Sequence, residues 1–197
     1  MATDSPFKLA VLISGEGSNL QAIINAIDAG TLDARIEIVI SNKSNAKGLN
    51  RATRTGITAV VVPPVRGQSR EEYDQRLLDT LAPFAPDLVV LAGFMRILST
   101  GFVHSYAHRI INIHPSLLPA YKGMNTHQRV LDAGERFHGA TVHFVTEQLD
   151  DGEMIIQSRI EIEADDDAAS LQQRVHAEEH VIYPRAIQWL SEQRKRA

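Results

Sequence analysis

The chain has 197 residues, a length typical of one domain, so we expect a single catalytic domain over residues 1–197. Hydrophobic residues make up 44% and charged residues 22%, a balance that excludes an intrinsically disordered chain. With 20 Lys and Arg against 24 Asp and Glu, the net charge is −4, and no nucleic-acid partner is expected. The absence of cysteine excludes disulfides, thiolate nucleophiles and Cys-ligated metals.

No targeting or membrane-spanning segment is expected. The first residues lack a basic region followed by a long apolar run. The longest apolar runs, such as residues 88–95, fall far short of the roughly 20 residues that cross a bilayer. The sequence therefore predicts a cytoplasmic protein with no membrane partner.

Strands and helices alternate along the first part of the chain. The apolar run at residues 9–14 predicts a buried strand, and a glycine-containing turn at 15–19 follows it. Apolar residues at helical spacing then predict an amphipathic helix that ends at Gly30. Ser69 and Glu72 form a capping-box pattern that predicts a helix to about residue 81. Further apolar runs predict strands at residues 36–40, 59–62, 87–91 and 110–113.

Two more strands and a long helix are predicted for the rest of the chain. Residues 140–145 and 154–162 indicate strands near the edge of the sheet. Residues 170–190 predict a closing helix in which Pro184 marks a kink or a restart. The whole pattern predicts an α/β fold with an open, doubly wound, mostly parallel sheet and helices on both faces, similar to the Rossmann fold.

The turn at residues 15–19 is a candidate anion site. Its glycines permit close approach of a ligand, and Ser18 is expected to cap a helix whose positive end favours phosphate. Leu20 stands where a dinucleotide fingerprint has its third glycine, and no Gly-Lys-Ser/Thr loop occurs. A bound monophosphate therefore fits better than a dinucleotide or triphosphate. A plain strand-to-helix turn without a ligand is the alternative.

Asn112 and His114 end the strand predicted at residues 110–113. Because side chains alternate along a strand, these two residues share one face. The carboxyl ends of strands are where open α/β sheets bind ligands. There the imidazole can move a proton and the amide can hold an oxyanion. The alternative is that both side chains only satisfy nearby loop backbone.

The acidic turn after Leu149 offers two neighbouring carboxylates, Asp150 and Asp151. Such turns are usually solvated and form local hydrogen bonds, but either carboxylate could also act on an imidazole or order a water molecule. The spacing does not choose between the two.

His176, Glu179 and His180 match an inverted zinc-hydrolase pattern, H-x-x-E-H, on a predicted helix. A zinc site needs a further protein ligand, and the only acidic residue beyond His180 is Glu192. We therefore predict no metal site. The functional alternatives to an acid–base enzyme are a zinc hydrolase and a non-catalytic module that binds a phosphorylated ligand.

Five motifs together resemble the single-domain, folate-dependent phosphoribosylglycinamide formyltransferase family of purine biosynthesis. The resemblance extends over nearly the whole chain and is highly specific. The motifs are residues 12–15 with 17–21, residues 91–98, residues 112–119, Leu149-Asp150 with Gly152, and Glu179-His180 with residues 182–184.

The resemblance implies a transferase of one-carbon metabolism that moves the formyl group of its co-substrate, 10-formyltetrahydrofolate, to the amine of phosphoribosylglycinamide. It implies direct attack by the amine, with no metal and with phosphoribosylglycinamide and folate as the partners of a monomer or homodimer. The implied residues are Asn112, His114 and Asp150 for catalysis, Gly17, Ser18, Asn19 and Glu179 for the phosphorylated substrate, and Arg70, Met95, Arg96, Ile97, Leu98 and Asn112 for the folate.

Three features depart from the family pattern. Glu16 adds an acid beside the phosphate turn, Asp151 and Glu153 add charge around Asp150, and Met124 with Asn125 alters the loop after residue 123. We expect these departures to change affinities more than the reaction. Two related enzyme types, formyltetrahydrofolate deformylase and methionyl-tRNA formyltransferase, are expected to need extra domains that do not fit in 197 residues.

Overall fold

A computed structural model describes residues 6–196; residues 1–5, where we looked for a targeting segment, and residue 197 lie outside it. Seven strands form one sheet in the order β3-β2-β1-β4-β5-β6-β7. The strands are β1 (Phe7–Ile13), β2 (Ala34–Ser41), β3 (Thr58–Val61), β4 (Leu88–Leu91), β5 (Ile110–His114), β6 (Phe137–Phe144) and β7 (Met154–Glu161).

Six α-helices connect and cover the strands, and a short 3₁₀ turn, Ala82–Phe84, precedes β4. The capping box predicted for Ser69 and Glu72 is present at the start of the third helix. Gly30 follows the first helix with a positive φ, as predicted for a residue that ends a helix. The helices are α1 (Ser18–Asp28), α2 (Lys47–Arg54), α3 (Arg70–Leu81), α4 (Thr100–Ser105), α5 (Thr126–Asp132) and α6 (Ala168–Arg196).

The five strands from β3 to β5 are parallel, and β6 and β7 complete the sheet as antiparallel strands. The predicted doubly wound, mostly parallel α/β fold is therefore confirmed. The strand order reverses between β1 and β4, because β2 and β3 lie on one side of β1 and the later strands on the other. A crevice opens at such a reversal, at the carboxyl ends of the strands.

Three helices were not predicted, and one predicted break is absent. The helices α2, α4 and α5 have only 8, 6 and 7 residues, too few to show a helical apolar period. Of the two alternatives predicted for Pro184, a kink or a restart, the restart is wrong, because α6 runs through it without interruption. Buried residues on both sides of the proline, Tyr183 and Ala186 among them, pack against the sheet and hold the helix.

Two hydrophobic layers, one on each face of the sheet, form the core. The larger layer includes Leu20 and Ile23 of α1 and Tyr183 of α6, and the other includes Tyr73 and Leu77 of α3. The phenol of Tyr183 donates to the carbonyl oxygens of Leu91 and Ile111, which ties α6 to two central strands. No helix within residues 6–196 is long and apolar enough to cross a membrane.

A histidine pair, with His138 buried and His127 half-buried, joins α5 to β6 and predicts acid-sensitive stability. The distance between His127 Nδ1 and His138 Nε2 is 3.0 Å, and burial lowers the pKa of each imidazole to about 4. Between about pH 6.5 and 4 the unfolded chain thus binds protons that the folded chain does not. We expect the free energy of unfolding to fall as the pH decreases through this window, by up to about 1.4 kcal/mol per pH unit for each histidine.

Urea unfolding between pH 7.5 and 4.5 measures this effect. The His127→Gln variant lacks one titrating group and should lose less stability across the same range. An equal pH dependence in the variant and the wild type would show that the pair does not carry the effect.

Candidate active site

The ends of β5 and the β6–β7 turn bring together the three predicted catalytic side chains. Asn112 and His114 project from the carboxyl end of β5, next to the crevice. Asp150 lies in the turn that follows β6, and its Oδ2 is 3.4 Å from Nδ1 of His114. Both His114 and Asp150 are buried, at 6% and 9% exposure. A carboxylate and an imidazole therefore meet in a site largely protected from solvent.

The local backbone explains why Asp150, and not Asp151, enters the site. Asp150 has a φ of 50°, and its Oδ2 accepts the Gly123 N–H at 2.9 Å. The next residues are packed so closely that a Cβ on Gly152 would lie 1.8 Å from the Phe144 carbonyl oxygen. Asp151 instead forms an ion pair with Lys122 at the surface. Sequence spacing did not distinguish the two aspartates, whereas the conformation of the turn places Asp150 in the site and Asp151 at the surface.

Both ring nitrogens of His114 face hydrogen-bond acceptors. Nδ1 faces the Asp150 carboxylate, and Nε2 is 3.0 Å from the carbonyl oxygen of Tyr121. A neutral imidazole carries only one N–H and would leave one of these acceptors without a donor. The site thus places an acceptor on each side of the His114 ring.

His143 belongs to this cluster and was missed in the sequence. It is directly opposite Asn112 in the antiparallel pairing of β5 with β6, and its Nε2 is 3.4 Å from Asn112 Nδ2 and 3.7 Å from Asp150 Oδ1. Burial lowers the pKa of His143, and Nδ1 donates to the Phe144 carbonyl oxygen. A neutral ring with its proton on Nδ1 leaves Nε2 free to accept from the Asn112 amide.

The second part of the site is the turn between β1 and α1. Gly17 has a φ of 70°, and a Cβ on it would lie 2.6 Å from Gly48 Cα, so only glycine fits here. Gly17 occupies the N-cap position and no side chain caps the helix. The predicted capping role of Ser18 is therefore wrong, because Ser18 is already the first helical residue. The first N–H groups of α1 thus lack a side-chain acceptor.

A pocket of about 390 Å³ opens beside this turn, and a basic side chain stands next to it. Arg51 lines the pocket and is held by the Glu16 carbonyl oxygen and the Gln21 amide. The Glu16 carboxylate is paired with Lys47, so its charge is compensated on α2. The pocket is lined by Ser18, Gln21, Ala22, Asn25, Arg51 and His180.

Glu179 connects the turn to the centre of the site. It is 4% exposed, and its Oε2 accepts the Asn19 Nδ2–H at 2.7 Å. Burial raises the pKa of Glu179. Among the residues that the structure describes, no donor reaches the buried Oδ1 of Asn19, and His180 Nε2 is likewise without a partner. Two buried polar atoms are thus available to a bound molecule.

Comparison with known proteins identifies the family. The model of the formyl transferase family matches residues 7–187. The chain belongs to the formyl transferase family. It is 47% identical to a phosphoribosylglycinamide formyltransferase of Escherichia coli over 94% of this chain and 88% of that protein. The predicted resemblance and the predicted enzyme class, a formyltransferase, are thereby confirmed.

Solved structures agree with this assignment. A phosphoribosylglycinamide formyltransferase from Coxiella burnetii superposes with a TM-score of 0.92 at 48% identity, covering 96% of this chain and 89% of that one. A formyltetrahydrofolate deformylase from Pseudomonas syringae also has the fold, with a TM-score of 0.90 at 27% identity, but this chain covers only 63% of its length. The fold is therefore shared by formyltransferases and by an enzyme named for deformylation.

Arg70 and Arg96, which the resemblance assigned to folate carboxylates, lie near one another on the opposite side of the crevice. The Arg96 guanidinium carbon is 4.0 Å from the centre of the Tyr73 ring, and burial raises the pKa of Tyr73 to about 12. Burial also raises the pKa of Asp74, and the positive charges of Arg96 and Arg70 counteract this rise. The Asp74 carboxylate accepts the Ser99 N–H. No acceptor within the described part of this formyltransferase reaches Arg96 Nε.

The loop after β4 presents apolar side chains at the crevice of the formyltransferase. Met95 and Ile97 are 60% and 55% exposed, whereas Leu98 is buried in the core layer on the α3 face. The loop turns at Gly93, which has a φ of 75°. Two large apolar side chains on the surface are suited to contact a flat, largely apolar ligand.

The histidines of the H-x-x-E-H pattern do not assemble a metal site. His176 and His180 stack with 6.4 Å between ring centres, while Glu179 is bonded to Asn19. Over residues 6–196, no group of three or more His, Asp and Glu residues is placed to hold a metal ion.

Proposed function

We propose that this formyltransferase transfers the formyl group of 10-formyltetrahydrofolate to the primary amine of phosphoribosylglycinamide. The observation that carries the proposal is the convergence of Asn112, His114 and Asp150 at the crevice of a chain in the formyl transferase family. The catalytic unit is one domain over residues 1–197. The relatives from Escherichia coli and Coxiella burnetii, both named phosphoribosylglycinamide formyltransferase, support the proposal.

Asn112 and His114 stabilise the charge that forms on the substrate oxygen. As the amine attacks the formyl carbon, the carbonyl oxygen becomes negative. The Asn112 amide donates a hydrogen bond to it, and the imidazolium of His114 adds a positive charge beside it. His143 holds the Asn112 amide in place through Nε2. In a buried site such fixed donors lower the barrier more than water does.

Asp150 supports the imidazolium and assists proton transfer. The new C–N bond forms first and gives the oxyanion. The C=O bond then re-forms as the bond from the formyl carbon to the folate nitrogen breaks, and the proton lost by the amine goes to that nitrogen. Asp150 contacts His114 and faces the position of the reacting groups, so it can accept and return this proton through water. No covalent enzyme intermediate is needed.

The turn at residues 17–19 and Glu179 bind phosphoribosylglycinamide. The N–H groups at the start of α1 and the positive end of the helix bind its phosphate, with Ser18 beside them. Arg51 adds positive charge at the same pocket. The free Oδ1 of Asn19 accepts a ribose hydroxyl, and Glu179 lies next to it near the amine.

The folate binds across the crevice. The pterin contacts the loop of Met95, Ile97 and Leu98 and the Asn112 side chain. Arg70 and Arg96 bind the carboxylates of the glutamate tail, and the Arg96 Nε, which is buried and has no acceptor in the described part of the chain, is a further donor there. The two substrates thus approach the catalytic residues from opposite sides.

Replacing Gly17 with alanine is expected to weaken binding of phosphoribosylglycinamide by about tenfold or more. The added Cβ collides with the Gly48 backbone and displaces the phosphate turn, a cost of roughly 1–3 kcal/mol. Gly30→Ala is the matched control, since Gly30 ends the same helix with the same φ of 70° but has open space around it. Equal affinities of the two variants, measured by calorimetry, would contradict a phosphate site at Gly17.

Turnover is expected to be independent of metal. Side chains are proposed to fill the acid–base and oxyanion roles, and over residues 6–196 no third ligand joins the two histidines of the H-x-x-E-H pattern. Dialysis against a strong chelator should leave the rate unchanged. A loss of activity that zinc restores would show that the zinc hydrolase interpretation, or another metal role, is correct.

The decisive assay mixes the protein with both substrates and follows folate absorbance. Tetrahydrofolate should form in proportion to the phosphoribosylglycinamide added. Formation of tetrahydrofolate and formate without the amine would instead indicate a deformylase. Binding without turnover would indicate a module that holds phosphorylated ligands.

A further inference from the structure

Ser14 occupies the position where the two halves of the crevice meet. It follows β1 directly and is 5% exposed. On one side of β1 lies β2, which leads to Asn42, and on the other lies β4, which leads to the loop of Met95. The phosphate turn begins at the next residue, so Ser14 adjoins the proposed sites of both substrates.

One hydroxyl group joins the ends of these three strands. The Met95 backbone N–H donates to Ser14 Oγ at 2.8 Å, and the Ser14 hydroxyl donates to Asn42 Oδ1 at 2.6 Å. Because Asn42 fixes the direction of the hydroxyl proton, a lone pair of Oγ is free to face the Met95 N–H. Asn42 is also buried, at 7% exposure. The chain of hydrogen bonds is therefore directional and protected from water.

The hydrogen bond between Met95 and Ser14 joins the ends of β4 and β1, the two strands between which the strand order reverses and the crevice opens. On the β4 side the sheet ladder ends with the Ala92 N–H bonded to the Leu12 carbonyl oxygen. Beyond it, the loop leaves the sheet through Gly93, which has a positive φ, and exposes the Met95 side chain. The Ser14 hydroxyl is thus the contact that holds this part of the loop against β1.

We propose that Ser14 is a positioning residue that sets the wall of the folate pocket through the Met95 backbone. This inference rests on the proposed function, since it assigns the 93–98 loop to the folate. Ser14 touches neither substrate, and its hydroxyl acts on binding through the loop. Without the hydroxyl, the Met95 N–H loses its acceptor and the loop moves away from β1. Folate binding should weaken while the phosphate turn keeps its own supports at Gly17 and Gly48.

The test measures the dissociation constants of the two substrates separately by calorimetry. For Ser14→Ala, the constant for 10-formyltetrahydrofolate should rise about 5- to 30-fold, the range expected when a partly buried N–H loses its partner. The constant for phosphoribosylglycinamide should stay within about twofold of wild type. Ser14→Thr keeps the hydroxyl and should restore most of the folate affinity.

A structural readout accompanies the binding constants. The chain has four methionines, so selective labelling of methionine with ¹⁵N gives a spectrum in which the Met95 amide is readily assigned. Its hydrogen exchange should be slow in the wild type and in Ser14→Thr, and faster in Ser14→Ala. A small general loss of stability would speed exchange of the other methionine amides as well.

The outcomes separate this inference from the proposed function. An equal rise of both dissociation constants, or unchanged Met95 exchange in Ser14→Ala, would overturn the positioning role while leaving the function intact. A wild-type protein that binds neither substrate would overturn the proposed function and the inference with it.

Discussion

Replacing Asp150 with asparagine is expected to lower turnover by about 10²- to 10⁴-fold, the usual contribution of a positioned acid–base group. Asparagine keeps an oxygen that can accept the Gly123 N–H, so the turn should retain its shape. The variant loses the carboxylate 3.4 Å from Nδ1 of His114, which is the group proposed to move the proton. Steady-state turnover at saturating substrates, with circular dichroism to confirm folding, measures the effect.

The neighbouring aspartate provides the control for this prediction. Asp151→Asn removes the same charge one residue further along, but there it faces Lys122 at the surface. Surface ion pairs contribute little, so turnover should stay within a few-fold of wild type. We expect the two variants to differ by at least about tenfold, or ~1.4 kcal/mol of transition-state stabilisation. Similar mild losses in both would remove Asp150 from the catalytic set.

Replacing His114 with alanine is expected to lower turnover by about 10²- to 10⁴-fold. The variant loses the imidazole that shares the strand face of Asn112 and leaves Asp150 buried without its partner. Binding of phosphoribosylglycinamide should change little, because the proposed phosphate site lies at the start of α1, on another strand end. Rapid-quench measurement of a single turnover, together with calorimetry, separates the chemical step from binding.

An exposed histidine serves as the comparison for His114→Ala. His104 lies on α4, where its side chain is 68% exposed and contacts Glu147. Its replacement by alanine should leave both turnover and affinity near the wild-type values. If His114→Ala also kept activity within a few-fold of wild type, the imidazole would have no part in the mechanism.

The sequence predicted those parts of the fold and site that local patterns determine. The apolar runs located the strands to within about three residues, and the alternation along β5 correctly placed Asn112 and His114 on one face. The capping box at Ser69 was recognisable because both of its side chains lie within one turn. These features depend only on residues that are close together in the sequence.

The rest depended on contacts between distant residues. His143 joins the site only through the register of β6 against β5, which no local pattern specifies. Asp150 is selected over Asp151 by the close packing at Gly152. The capping role predicted for Ser18 is wrong because the N-cap is Gly17. Gly17 lies against Gly48 of α2, and that helix is too short to predict. Gly48 itself was a better signal that two segments of the backbone approach each other closely at this turn.

Transfer of a labelled formyl group tests the central claim most directly. The protein is mixed with 10-formyltetrahydrofolate carrying ¹³C in the formyl group and with an equal amount of phosphoribosylglycinamide, and the label is followed by NMR. Our account predicts that the label appears in an amide on phosphoribosylglycinamide as tetrahydrofolate accumulates in equal amount. Label that appears as formate, or that remains on the folate, would contradict it.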